Sequence, residues 1–210
     1  MVRIPSVPYH HGDLRNDLLA VAFDILKAKG PAGLSLREVA REAGVSHQAP
    51  YHHFPSRAHL LAALAAQGFD QLAAELDAVQ VGTGDVESQG YETAVHYVMF
   101  AARHPERFKL MFGGELGPRT QYPQLDEAAR RVFERLVRPL GAAIRPGAGN
   151  PPPVVLTSWA AMHGLAALVV DGQVRLEGQA LEEAARQVAT VLWVGIKRTV
   201  LESTSSVSPL

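Results

Sequence analysis

Apolar residues recur at helical spacing along most of this 210-residue chain, and this feature limits the possible folds more than any other. Between Asp13 and Leu26 they lie three or four residues apart, which is the period of one face of an α-helix. No stretch alternates apolar and polar residues over a useful length, as a half-buried β-strand would. The sequence therefore predicts an all-α fold.

Start and stop signals divide the first 60 residues into helices. Gly30 and Pro31 predict the end of the first helix. Ser35 can cap the second helix, and Glu38 stands three residues later, which is the spacing of a capping box. Leu36 and its apolar neighbours would form the buried stripe of this helix.

A tight turn is predicted at Ala43-Gly44-Val45. Ser46 can cap a third helix that continues to Phe54, with Pro50 in its first turn, where a missing N–H costs little. Two short helices joined by a glycine-containing turn, after a longer helix, form a helix-turn-helix arrangement.

The third helix carries side chains that suit DNA recognition. On a helical wheel its outward residues are His47, Gln48, Tyr51 and His52. Glutamine can pair with adenine and histidine can donate to an acceptor edge, whereas serine, tyrosine and arginine suit phosphate oxygens. This helix is therefore predicted to lie in the major groove.

Positive charge is concentrated in the same region. Residues 1–60 hold seven Lys and Arg against five Asp and Glu, and the other 150 residues hold 13 against 16. The net charge of the whole chain is −1, so contact with nucleic acid has to be local.

The segment GLSLREVAREAGVSHQAPYHHFPSRAHLLAAL, within residues 13–64, resembles the DNA-binding signature of the TetR family of bacterial transcription regulators. The turn AGVS, the aromatic-rich YHHF and the basic residue after the polar break fall in register. Gln48 and Pro50 stand where the family often has glycine and leucine, which should change the operator that is read. The contacts that this reading gives to DNA come from Ser35, Arg37, Ser46, His47, Gln48, Ala49, Tyr51, His52 and Arg57.

The resemblance implies a homodimeric repressor that binds a palindromic double-stranded operator and is released by a small molecule. The predicted domains are a helix-turn-helix domain over residues 1–60 and a helical ligand-binding and dimerisation domain over 61–210. The last two helices, predicted at 154–170 and 180–201, have more apolar positions than one buried face needs. A dimer built from both helices is expected, and a monomer core is the alternative.

Trp159, His163 and Gly164 resemble a Trp-His-Gly motif of one subgroup of the family, and the upstream HPERFKLMF resembles the same subgroup. The candidates for lining an effector pocket are aromatic residues, methionines and one histidine. They are Met99, Phe108, Met111, Phe112, Trp159 and His163. The alternative is a packed core in which His163 makes an internal hydrogen bond.

Several other functional classes lack their sequence signals. The chain has no cysteine, so disulfides and thiol chemistry are excluded. It has no HExxH motif, phosphate-binding glycine loop or Gly-x-Ser-x-Gly elbow. We expect no enzyme, metal or cofactor, no membrane span and a cytoplasmic location. A helical enzyme, a protein-interaction module and a transcriptional activator remain as alternatives.

Overall fold

The computed structural model of the chain describes residues 13–82, 85–139 and 151–205, and these are helical without any β-strand. The predicted all-α fold is confirmed. In chain order the α-helices are α1 (Leu14–Lys29), α2 (Leu36–Ala43), α3 (Arg57–Gly82), α4 (Val86–Arg103), α5 (Pro105–Phe112), α6 (Pro123–Val137), α7 (Pro153–Val170) and α8 (Gly178–Ser205).

Two compact units make up the chain, and they divide at Leu64–Ala65, within α3. The first unit comprises residues 1–64 and 114–118, and the second comprises 65–113 and 119–210. The predicted boundary at residue 60 lies within the same helix.

The first unit begins with α1, whose cap is Asp13 and whose buried face includes Leu18 and Leu19. Ser35 caps α2 as predicted, since its hydroxyl accepts from the Glu38 backbone N–H at 3.1 Å. In a capping box the Glu38 carboxylate would accept from the Ser35 backbone N–H. Here it accepts hydrogen bonds from the side chains of Lys29 and Arg41.

The third element of this unit is shorter and tighter than predicted. A 3₁₀-helix at Ala49–His52 takes the place of the expected α-helix from Ser46 to Phe54. Pro50 has no N–H to donate, and the bonds that form run three residues back, as from Tyr51 to Gln48 at 3.1 Å. Pro50 and Phe54 are buried as predicted, so the element is anchored despite its length.

Helix α4 is central in the second unit, where it packs against α5, α6, α7 and α8. The glycine-containing segment 79–89 is typical of a linker in the sequence, but α3 continues to Gly82 and α4 already begins at Val86. The Asp85 side chain caps α4 by accepting from the Ser88 N–H at 2.9 Å. Helices α3 and α5 approach closely at Gly68, where an added Cβ would lie 2.7 Å from the Met111 sulfur.

Within the described residues, α7 has the length and composition of a helix that could cross a membrane. Its 18 residues have a mean hydropathy of 1.6, and 17% of them are buried. Length and composition alone are a weak indication, because core helices of soluble proteins have the same properties.

Candidate functional site

The candidate DNA-contacting residues lie on or beside α2 and the 3₁₀-helix. Ala49 and Arg57 are half-buried. The others are exposed, and they are Ser35, Arg37, Ser46, His47, Gln48, Tyr51 and His52.

Four of these side chains meet in one shallow recess on the surface. Arg37, from the first turn of α2, lines this recess together with His47, Gln48 and Tyr51. A cation, an amide, an imidazole and a phenol therefore converge, and they offer donors and acceptors suited to base edges and phosphates.

The turn between α2 and the 3₁₀-helix depends on a left-handed residue. Gly44 has φ of 68°, and the Val45 N–H donates back to the Ala40 carbonyl at 3.0 Å. An added Cβ at Gly44 would meet nothing within 4 Å, so the backbone angle and not space requires glycine there.

Arg57 makes contacts that sequence reasoning missed. Its Nε donates to the Leu34 carbonyl at 2.9 Å and its Nη2 donates to the Pro31 carbonyl at 2.5 Å. These bonds join the start of α3 to the loop that precedes α2. The phosphate contact assigned to Arg57 stays a prediction, and its guanidinium already has a structural use.

Arg41 is held by neighbouring carboxylates. Its guanidinium lies 2.8 Å from Glu38 and also pairs with Glu42. Hydrogen bonds from Arg41 and then from Lys29 lower the pKa of Glu38 to about 2. Glu38 is therefore ionised at neutral pH and fixes the Arg41 side chain along α2.

The second unit contains an apolar cavity of about 80 Å³. Its walls come from α4, α6, α7 and α8, together with Pro139. The lining residues are Gly90, Tyr91, Thr93, Ala94, Tyr97, Phe133, Leu136, Val137, Pro139, Val155, Ser158, Trp159, Met162, Ala189, Leu192, Trp193 and Ile196.

Of the six predicted pocket residues, one lines this cavity and the other five lie outside its lining. Trp159 lines the cavity, and Trp159 and Phe112 both line a neighbouring recess. Phe108 and Met111 are buried in the adjacent core. Met99 lies elsewhere, in an open surface groove between acidic side chains, because it occupies another face of α4.

His163 belongs to an aromatic cluster beside the cavity. Its Nδ1 lies 2.8 Å from the Tyr97 hydroxyl, and its ring centre lies 4.7 Å from that of Phe112. Burial lowers the pKa of His163 and raises the pKa of Tyr97, so both groups are neutral at pH 7. The internal hydrogen bond matches the alternative considered for this histidine.

Within the part of the chain that the structure describes, three polar atoms at the cavity are buried without a hydrogen-bond partner: Thr93 Oγ1, Trp159 Nε1 and Trp193 Nε1. The Trp159 indole lies near the Tyr97 hydroxyl but makes no hydrogen bond of good geometry. Most buried polar groups in proteins do have partners, so the concentration of these three atoms makes the cavity the candidate ligand site of the second unit. Sequence reasoning missed Thr93 and Trp193.

Trp193 reaches the cavity because Gly90 leaves room for its ring. An added Cβ at Gly90 would lie 2.8 Å from the indole. Ion pairs on both sides hold α8 against α4, from Arg186 to Glu92 at 2.6 Å and from Lys197 to Glu87 at 2.5 Å. A glycine inside a helix was the one signal of this contact in the sequence.

Comparison with protein families gives two matches. Residues 18–64 match the family described as bacterial regulatory proteins, tetR family, and residues 91–192 match the tetracyclin repressor-like C-terminal domain. No curated protein matches the chain.

Solved structures give the same fold. A protein of unknown function from Rhodococcus sp. RHA1 is 38% identical, with a TM-score of 0.73 over 90% of this chain and 97% of its own. The TetR family regulator PfmR from Thermus thermophilus is 19% identical, with a TM-score of 0.60 over 83% of this chain and 96% of its own. FadR from Bacillus subtilis, in complex with stearoyl-CoA, is 11% identical, with a TM-score of 0.66 over 84% and 96%.

Proposed function

Because the chain belongs to the TetR family of DNA-binding transcription regulators, which are not enzymes, we propose that it is a repressor controlled by a small molecule. In this proposal the protein acts in the cytoplasm as a homodimer on a palindromic operator. A ligand in the cavity of the second unit would release it from DNA.

The recess formed by Arg37, His47, Gln48 and Tyr51 is the observation that carries the DNA-binding proposal. In this proposal Gln48 and His47 contact base edges, Tyr51 contacts a phosphate, and Arg37 contacts a base or a phosphate. Ser35, Ser46, Ala49 and His52 flank the recess in sequence. Together with the predicted phosphate contact of Arg57 they complete the proposed contact set.

Exposed apolar side chains on α7 and α8 support a dimer. The exposed fraction is 51% for Leu156, 45% for Leu168, 74% for Val191 and 62% for Val194. Monomeric proteins rarely leave large contiguous apolar patches in water. A second copy of the same two helices would cover these residues in a four-helix interface, and it would supply the second reading element that a palindrome requires.

The three unpartnered polar atoms at the cavity support a ligand site. Bacillus subtilis FadR, which has the same fold, was solved in complex with stearoyl-CoA, and this adds support for a small-molecule ligand. A ligand shifts the protein toward a state with lower operator affinity only by as much as it prefers that state.

The test is fluorescence anisotropy with DNA from upstream of the protein's own gene, with random DNA as the control, over a series of salt concentrations. We expect tight, sequence-dependent binding with a steep salt dependence. Gln48→Ala should weaken operator binding by about 1–3 kcal/mol and leave binding to random DNA unchanged.

Gln121→Ala is the matched control, since Gln121 is an exposed glutamine of the second unit. It should not change either affinity. Absence of binding to any DNA at low salt would exclude the proposal. Equal losses on both DNAs for Gln48→Ala would remove Gln48 from the base contacts.

A further inference from the structure

The three unpartnered polar atoms belong to three different helices that meet at one cavity. Thr93 is on α4, Trp159 on α7 and Trp193 on α8. Thr93 is only 3% exposed. Burying a donor without a partner destabilises the folded chain, so a group that accepts these hydrogen bonds would bind favourably here.

Two other hydroxyl groups of the lining already have hydrogen-bond partners. The Tyr97 hydroxyl is 2.8 Å from His163 Nδ1, and the Ser158 hydroxyl donates to the Val154 carbonyl at 2.8 Å. The buried polar groups left without a hydrogen-bond partner are therefore two indole N–H groups, which only donate hydrogen bonds, and one hydroxyl. A complementary ligand has to present acceptor atoms.

The described lining of the cavity carries no charged side chain. None of the described residues that line it is an aspartate, glutamate, lysine, arginine or histidine. A carboxylate or phosphate placed there would lose its hydration without gaining a counter-charge. The neighbouring recess differs, because Arg119, Asp126 and Arg130 border it.

Size indicates how a ligand would enter. The cavity, at about 80 Å³, is smaller than the ~150 Å³ of a protein cavity that accepts benzene. Phe133, Leu136 and Trp159 separate it from the neighbouring recess, which measures about 280 Å³. The rings of Phe133 and Trp159 pack edge to face, with their centres 6.1 Å apart. Moving Trp159 would join the two spaces.

We propose that the inner cavity selects an uncharged, largely apolar ligand whose acceptor oxygens bind Thr93, Trp159 and Trp193. This inference rests on the proposed ligand control and adds the chemical class of the ligand. Ketones, lactones and quinones are the kinds of compound that meet the requirement.

Three bicyclic probes test the inference on the full chain. Coumarin has a lactone with two oxygens, naphthalene has no acceptor, and coumarin-3-carboxylate adds a charge to the coumarin frame. Protein carrying 5-fluorotryptophan reports binding by ¹⁹F NMR, because the chain has two tryptophans and both line the cavity. Coumarin should shift both signals and bind about tenfold more tightly than each of the other probes.

Variants then remove single donors. Trp193→Phe and Thr93→Val should each reduce the preference for coumarin over naphthalene by about fivefold. Naphthalene affinity should stay the same in Thr93→Val, which keeps the side-chain volume. Thr120→Val is the matched control, since Thr120 is exposed and does not line the cavity, and it should leave the preference unchanged.

A second measurement needs no ligand. If the Thr93 hydroxyl has no partner in the free protein, Thr93→Val, which keeps the shape of the side chain, should keep or raise the thermal midpoint of unfolding. A loss of several degrees in this variant would show that the hydroxyl has a partner and would overturn the inference. Coumarin that binds no better than naphthalene, a carboxylate that binds more tightly, or no binding by any probe would also overturn it.

Operator binding in the same preparations separates this inference from the proposed function. Selective coumarin binding without any change in operator affinity supports the ligand class and counts against ligand control. Failure to bind operator DNA when no probe is present counts only against the DNA-binding proposal.

Discussion

Replacement of Arg57 distinguishes a structural role from a phosphate contact. The side chain is half-buried, and it donates to the Leu34 and Pro31 carbonyls at 2.9 and 2.5 Å. Hydrogen bonds from a charged donor contribute about 1.5–3 kcal/mol each, and partial exposure reduces this contribution. We expect Arg57→Ala to cost roughly 2 kcal/mol of unfolding free energy, taking both bonds together.

Arg57→Lys is the informative partner of that variant. It keeps the charge, but a lysine ammonium does not reproduce the fork that reaches two carbonyls. We therefore expect Arg57→Lys to lose most of the same stability and to keep the salt dependence of DNA binding. If Arg57 only contacts a phosphate, Arg57→Lys should be as stable as the parent, and Arg57→Ala should reduce the salt slope of DNA binding by about one.

The assay is thermal unfolding followed by circular dichroism at one fixed protein concentration. A loss of roughly 2 kcal/mol corresponds to about 4–8 °C for a chain of this size. If both variants unfold within about 1 °C of the parent, the two carbonyl bonds do not stabilise the first unit and the reasoning is refuted.

Three further predictions concern DNA binding, assembly and pH. Arg37→Ala should weaken operator binding and lower its salt slope by about one. Arg41→Ala should change both quantities less, because Glu38 and Glu42 hold the Arg41 side chain. Equal effects of the two variants in anisotropy over a salt series would contradict this prediction. Val194→Glu should yield a monomer in sedimentation equilibrium. The control Val86→Glu changes a similarly exposed valine on α4 and should leave the dimer intact. If both variants remained dimers, the α7–α8 interface would be wrong. Burial lowers the pKa of His163, so the stability that depends on neutral His163 is complete above its unfolded pKa of about 6.5 and is lost as the pH falls below that value. The thermal midpoint of a His163→Gln variant should therefore depend less on pH between 7 and 5 than that of the parent. The same pH dependence in both proteins would show that His163 does not contribute.

Local sequence signals predicted the first unit well where short-range chemistry determines the structure. Ser35 caps α2 and Gly44 adopts a left-handed turn, because each depends on residues within one helical turn. Pro50 marks where such reasoning fails. A proline is tolerated at the start of an α-helix, but here the segment closes into a 3₁₀-helix around the buried Pro50 and Phe54.

The cavity was harder to predict because its chemistry depends on partners that are distant in the sequence. Aromatic and methionine residues near Phe108 fit either a core or a pocket on sequence alone, and the structure buries Phe108 and Met111. Sequence reasoning did not single out Trp193 or Thr93 as pocket residues. Only the packing of α4 against α7 and α8 leaves their polar atoms without partners.

Helix α8 links the cavity to the proposed dimer surface. Trp193 lines the cavity, while Val191 and Val194 on the same helix are exposed. Three hydrogen bonds of about 1 kcal/mol each, made in one state of the protein and not in another, would shift the balance between the states by roughly 100-fold. That is within the range of coupling free energies of known allosteric proteins, about 1–3 kcal/mol. The donors at Thr93, Trp159 and Trp193 are thus sufficient to drive the proposed release, provided that α8 lies differently in the DNA-bound dimer.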